Sequence, residues 1–151
     1  MMSLSEISDR LEIQQLMAAY SNAIDRRDFD RLDGVFMPDA YIDYRAMGGI
    51  DGPYPQVKAW LGPALQYFPR YYHLIANTEV VLAGDSATAR TVCFNPMEVP
   101  LPQGGTQVMF LGLWYLDKLV RTPEGWRISE RVEEACYQHN VPAHVRASMK
   151  A

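Results

Sequence analysis

From Tyr71 to Cys136 the chain reads as two consecutive pairs of long strands, and no other feature limits the fold as much. The stretch YYHLIANTEVVLAGDSATARTVCFNP is rich in β-branched and aromatic residues. It divides at Gly84–Asp85, a turn pair in the reverse of the common Asp-Gly order. GTQVMFLGLWYLDKLVRTPEGWRISERVEEAC repeats that layout around Thr122–Gly125. Two such hairpins commit this half of the chain to a sheet with antiparallel neighbours, and an apolar sheet face has to be covered by something.

Upstream the period changes to that of helices. Ile7, Leu11, Ile13, Leu16, Met17, Tyr20 and Ile24 recur mostly at steps of three and four between Ser5 and about Arg26. A shorter pattern, DFDRLDGVF, opens on Asp28 as an N-cap and sets Phe29, Leu32, Val35 and Phe36 on one face; Pro38 is expected to end it. AYIDY, Ala40 to Tyr44, is a brief strand, MGGIDGPYP a loop, and QVKAWLGPALQYF a third helix that Pro63 is expected to kink or split. The order predicts an α+β fold, one domain over residues 1–151, with helices packed on a curved antiparallel or mixed sheet. A pocket for an apolar ligand is expected between the concave face and the first helices. Residues 137–151 read as a C-terminal tail: an extended segment or short helix over a pocket mouth or a neighbouring subunit, or a disordered end.

Composition narrows the function. A length of 151 residues supports one sizeable core, and no apolar run approaches the ~18 residues that a membrane span requires. The net charge of −4, with no Lys/Arg cluster, argues against nucleic acid as a partner. The opening MMSLSEISDRLEIQQ lacks the basic and apolar regions of a secretory signal, so a cytoplasmic location is expected. Cys93 and Cys136 read as separate thiols. His73, His139 and His144 have no metal-binding spacing, so no metal site is expected. No G-x-S-x-G elbow supports a serine nucleophile, and the Gly104 loop is no phosphate cradle.

The candidate chemistry centres on His73. Alternation puts Tyr71, His73, Ile75 and Asn77 on one strand face and Tyr72, Leu74 and Ala76 on the other, either of which could be the inner one. Asp25 lies at the edge of the first helix's buried face, in a last turn where the macrodipole disfavours a carboxylate. A carboxylate kept there asks for a partner. A carboxylate beside an imidazole fixes the ring tautomer and favours proton abstraction, so Asp25 and His73 gain a purpose if they meet. Tyr20, Tyr41 and Tyr44 offer phenols able to donate to a carbonyl oxygen. Asp43 is a rival base that would otherwise point to solvent between inward residues. Arg127 and Arg131 share a face if their strand is regular, and an inward Arg131 then requires a bulge or a wet pocket.

These residues resemble the SnoaL-like group of the NTF2-like superfamily, and within it the scytalone-dehydratase-like branch that includes bile acid 7α-dehydratase and hexachlorocyclohexane dehydrochlorinase. The resemblance covers nearly the whole chain and rests on LEIQQLMAAYSNAIDRRDFDRLDGVFMPDA, YYHLIANTEVVLAGDSATARTVC and GWRISER. It implies a cone of helices wrapped by a curved sheet, usually a homotrimer, with a cofactor-free pocket for a small hydrophobic or aromatic substrate. It also implies an Asp25–His73 dyad, Tyr20 beside the substrate, and Arg131 assisting the leaving group. The tyrosine pair of the branch maps to Tyr20 with either Tyr41 or Tyr44. Where fungal scytalone dehydratase has a second histidine, TVCFNP offers Cys93 and Asn95, which leaves Asn95 as a further substrate contact. The expected activity is a cofactor-independent lyase of the dehydratase type. The alternatives are an isomerase or cyclase using Asp43 or Asp25 alone, and a ligand-binding domain without turnover.

Overall fold

The computed structural model describes residues 1–149. Helix α1 (Leu4–Asp25) starts where Ser3 and Glu6 satisfy each other's main-chain N–H groups in a capping box. Its inward stripe runs through Asp9, Ile13, Met17, Tyr20 and Ile24. At 100° per residue that stripe passes Ile7 and Leu11 by, and both stay exposed, contrary to their place in the apolar pattern.

Phe29–Gly34 forms a 3₁₀ turn, and Asp28 makes no side-chain cap to it. Strand β1 (Phe36–Asp43) begins before Pro38 instead of after it. The pairing of β1 shifts register between Phe36 and Tyr41, an irregularity that accommodates a residue with no N–H to give. Strand β2 (Asp51–Pro53) arises from the stretch read as a loop, while helix α2 (Tyr54–Gln66) is the expected third helix, begun two residues early and continuous through Pro63. Strands β3 (Leu74–Ala83) and β4 (Ser86–Pro100) pair around Gly84, which takes the left-handed conformation at φ 66°. Strands β5 (Thr106–Thr122) and β6 (Gly125–His139) make the second hairpin. Residues 137–139 thus end the sheet, and helix α3 (Ala143–Met149) follows.

The six strands lie in the order β2-β1-β6-β5-β4-β3. All neighbours are antiparallel except β1 and β6, which run parallel. The α+β architecture expected from the sequence is therefore present, as a mixed, open sheet. One irregularity in β6 matters for function. Lying between the pairs Lys118–Glu130 and Leu119–Ile128, it leaves Ser129 as an extra residue. Trp126 and Ile128 point inward before it and Arg131 after it, so Arg127 and Arg131 do not share a face. The core between the helices and this inner face is built from residues such as Ile13, Met17, Ile42, Val57, Leu119 and Trp126. Cys93 is buried and Cys136 exposed, each a free thiol. Among the described residues no helix is long and apolar enough to cross a membrane.

Candidate active site

The segment Tyr71–His73 arrives from α2 just ahead of β3 and is clamped from two sides. The Tyr71 hydroxyl donates to the Ile24 carbonyl at 3.0 Å, and the Asn95 amide donates to the Tyr72 carbonyl at 2.8 Å. Tyr71, His73 and Ile75 face inward, while Tyr72 and Leu74 are exposed. His73 precedes the β3 ladder, so its main-chain N–H is available to Asp25, at 3.1 and 3.0 Å from the two carboxylate oxygens. Its Nδ1 lies 2.7 Å from Asp25 Oδ1. With Asp25 accepting, Nδ1 carries the hydrogen and Nε2 holds the free lone pair. The last turn of α1 thus tolerates a carboxylate because two N–H donors from one residue converge on it.

Above the dyad lies a layer of phenols. Tyr20 and Tyr44 share a hydrogen bond of 2.8 Å between their hydroxyls, and Tyr20 packs edge-on against Tyr115 and His73 at centroid distances of 5.4 and 6.4 Å. Burial raises the Tyr20 phenol above its ordinary range, against the pull of the Arg131 cation, and raises Tyr44 and Tyr115 well above theirs. All three are neutral donors at ordinary pH. Arg131 lies behind them, fully buried, its guanidinium 4.1 Å from the ring centroids of both Tyr20 and Tyr115. Burial disfavours its charge, but Asp117, held through Nε and Nη2 at 2.7 Å each, more than compensates.

These groups open onto a cavity of about 170 Å³ whose polar wall carries Tyr20, Tyr44, His73, Asn95, Tyr115 and Glu133. The remainder is apolar, with Trp60 and Leu61 from α2, Met97 and Met109 from the sheet, and Val145 from α3. The structure therefore brings together Asp25, His73, Tyr20, Tyr44 and Asn95. It separates three other candidates from them. Tyr41 alternates outward from Ala40 and Ile42, gives its hydroxyl to Asp51 at 2.6 Å and does not line the cavity, so the phenol partnered with Tyr20 is Tyr44. Arg131 is one layer too deep to touch a ligand in this cavity. The rival base Asp43 is also elsewhere, in a two-point ion pair with Arg45 that holds its carboxyl below the usual range.

Tyr115 and Glu133 went unremarked in the sequence. Both face inward at directly paired positions of β5 and β6; the signal was alternation with Leu111 and Leu113 for Tyr115 and strand parity beyond Ser129 for Glu133. Burial holds the Glu133 carboxyl well above the ordinary carboxylate range, against the opposing influence of Arg131 and the Met47 N–H. Burial also pushes the Cys93 thiol, behind the wall, up to about 12. Among the described residues no cluster of three or more His, Cys, Asp and Glu side chains is arranged to hold a metal ion.

Comparison with known proteins places the chain in a family. The model of the SnoaL-like domain matches residues 5–132. The uncharacterized protein Rv2910c of Mycobacterium tuberculosis is 59% identical over 138 residues, covering 91% of this chain and 92% of that one. Among solved structures, a provisional scytalone dehydratase of Novosphingobium aromaticivorans superposes with a TM-score of 0.81 at 17% identity, over 94% of this chain and 93% of its own. The hexachlorocyclohexane dehydrochlorinase LinA-type3 of Novosphingobium barchaimii gives 0.77 at 17% identity, over 93% and 94%. The architecture is the NTF2-like α+β fold, and the chain belongs to the SnoaL-like domain family.

Proposed function

We propose that this protein is a cofactor-independent lyase that removes water, or another β leaving group, from a small ring compound bearing a carbonyl. His73 Nε2 takes the proton α to the carbonyl, the C–H electrons form the new double bond, and the bond to the leaving group breaks. Asp25 holds the imidazole tautomer and stabilises the imidazolium once formed. In the hydrogen-bonded Tyr20–Tyr44 pair one hydroxyl donates to the other, whose own hydrogen is left to bond the carbonyl oxygen as negative charge develops there. Asn95 meets the departing group. Arg131 acts from behind, fixing the tyrosine layer.

The observation that carries this proposal is the Asp25–His73 hydrogen bond of 2.7 Å at the polar wall of a cavity whose other side is apolar. The cavity volume of about 170 Å³ suits one ring, since engineered apolar cavities of ~150 Å³ hold benzene. Fold relatives named for a dehydratase and a dehydrochlorinase support elimination over other proton chemistry. The test is mass spectrometry on a panel of cyclic β-hydroxy ketones. Loss of one water is expected, and His73→Gln should slow it by ~10²–10⁴-fold. A product of unchanged mass points to an isomerase, and full turnover by the His73 variant removes the dyad from the mechanism.

A further inference from the structure

The mechanism above leaves Glu133 unused, although it lines the same cavity as His73, Tyr20 and Tyr44. Its Oε2 is sealed from solvent and, among the described residues, has no hydrogen-bond partner. A buried polar atom without a partner is costly, and this one belongs to a residue of the cavity wall, where a bound ligand supplies what the protein does not. Two positions earlier on β6, Arg131 Nη1 is also buried without a partner. Residues at i and i+2 share a strand face, so an acid and a cation, each incompletely satisfied, stand side by side.

The surroundings of Glu133 fix its state. Arg131 flanks it on β6, and Tyr115 is its cross-strand partner on β5. Asp43 of β1 acts on it through space, Tyr44 shares its wall, and the Met47 N–H is close. Tyr20 and His73 border the same space. Burial, with Asp43 in the same direction, outweighs Arg131 and the Met47 N–H. A carboxyl kept neutral in this way donates a hydrogen, which a carboxylate cannot do.

We propose that Glu133 is the acid of the elimination, protonating the departing oxygen as His73 removes the ring proton, with Arg131 as counter-ion to the carboxylate that results. This deepens the lyase reading and rests on it. The C–H electron pair becomes the second bond of the alkene, and the C–O pair leaves with the oxygen, which takes the Glu133 proton and departs as water. His73 gains one proton and Glu133 loses one. Return of that proton through solvent after product release restores both, so no co-reactant is required. Arg131, touching no substrate, is a positioning residue.

Two measurements test this. In the first, protein labelled with ¹³C at the glutamate carboxyls is observed by NMR, with Glu133→Gln for assignment, or Glu133→Ala if the amide variant does not fold. At pH 7 the Glu133 carbon should resonate as a neutral acid and shift when phenol, a one-ring probe with one oxygen, is added. In the second, 3-hydroxycyclohexanone and 3-chlorocyclohexanone are compared, both giving 2-cyclohexenone. Chloride departs without a proton, so Glu133→Gln should slow water loss ~10²-fold or more and leave chloride loss nearly unchanged. His73→Gln should slow both. An ionised Glu133 at pH 7, a carboxyl indifferent to phenol, or equal slowing of both ketones by Glu133→Gln overturns the role of Glu133 and leaves the dyad standing. Undiminished turnover in His73→Gln overturns the dyad, while the NMR result still decides Glu133. If neither ketone is turned over, the NMR result alone decides.

Discussion

Helix α1 presents a carboxylate to the sheet near each of its ends, and the two have opposite surroundings. Asp9 is saturated: Arg121 donates to its two oxygens at 2.7 and 2.8 Å, and Trp126 Nε1 donates at 3.1 Å. The Arg121 guanidinium also stacks 4.6 Å from the Trp126 ring centroid. Every donor in that group ends on another protein atom. Asp25 is equally well held, yet its partner His73 has a second nitrogen that takes no hydrogen bond among the described residues, on the wall of a cavity. Burial and pairing of a carboxylate therefore do not mark a site. What marks it is a partner with one bonding position left over, facing space that a ligand can fill.

Substitutions sharpen the contrast, beginning with the pair most like Asp9. Arg131 and Asp117 are both wholly buried. Arg131→Met leaves an uncompensated charge and should cost about 3–5 kcal/mol in urea unfolding, the largest loss of stability expected in this chain. Asp25→Asn should slow elimination by about 10²-fold or more while moving the urea midpoint little, because a single imidazole and one main-chain N–H lose a charged acceptor but keep an oxygen. Asp9→Ala should do the reverse, costing about 1–3 kcal/mol through the stranded Trp126 and Arg121 donors and leaving turnover intact. If Asp9→Ala damages turnover as much as Asp25→Asn does, the two ends of α1 are not functionally distinct.

The smallest effect is on acid stability. The Arg121 and Trp126 hydrogen bonds hold the Asp9 carboxyl below its ordinary range, and Arg70, followed by Thr106, holds Glu98 at about 2. A carboxyl whose value is depressed in the folded state stabilises fully above its unfolded value. It loses that contribution as pH falls through the folded one. Urea midpoints should therefore drop from about pH 5 downward. Glu98→Gln should flatten the part of that fall that ends near 2.

Much of this was legible in the chain. Hairpin turns and β-rich runs located β3 to β6, and the helical period located α1. Asp25 betrayed itself by standing where a helix disfavours it, and His73 by opening a strand. The illegible parts depend on contacts between elements, and the clearest is the breaking of strand parity by a single residue. The extra residue at Ser129 turned Arg131 and Glu133 inward, and no composition rule fixes which residue of a strand bulges. Tyr41 and Tyr44 could not be separated because the inner face of a five-residue strand is ambiguous until its partner is known. In α1, Asp9 took the inward place that hydrophobicity would assign to Ile7 or Leu11, since its charge was met by Arg121 from a distant strand.

Helix α3 has a kinetic meaning. It closes one side of the cavity with Val145, and the described residues anchor it through buried Val141 and Val145 and a hydrogen bond of 2.9 Å between the Tyr67 hydroxyl and His144 Nε2. Burying a valine contributes roughly 1.5–3 kcal/mol, so undocking this single short helix costs less than the ~5–15 kcal/mol of global unfolding. Opening the cavity on that side therefore requires less than unfolding the protein, since α3 itself is no part of the sheet.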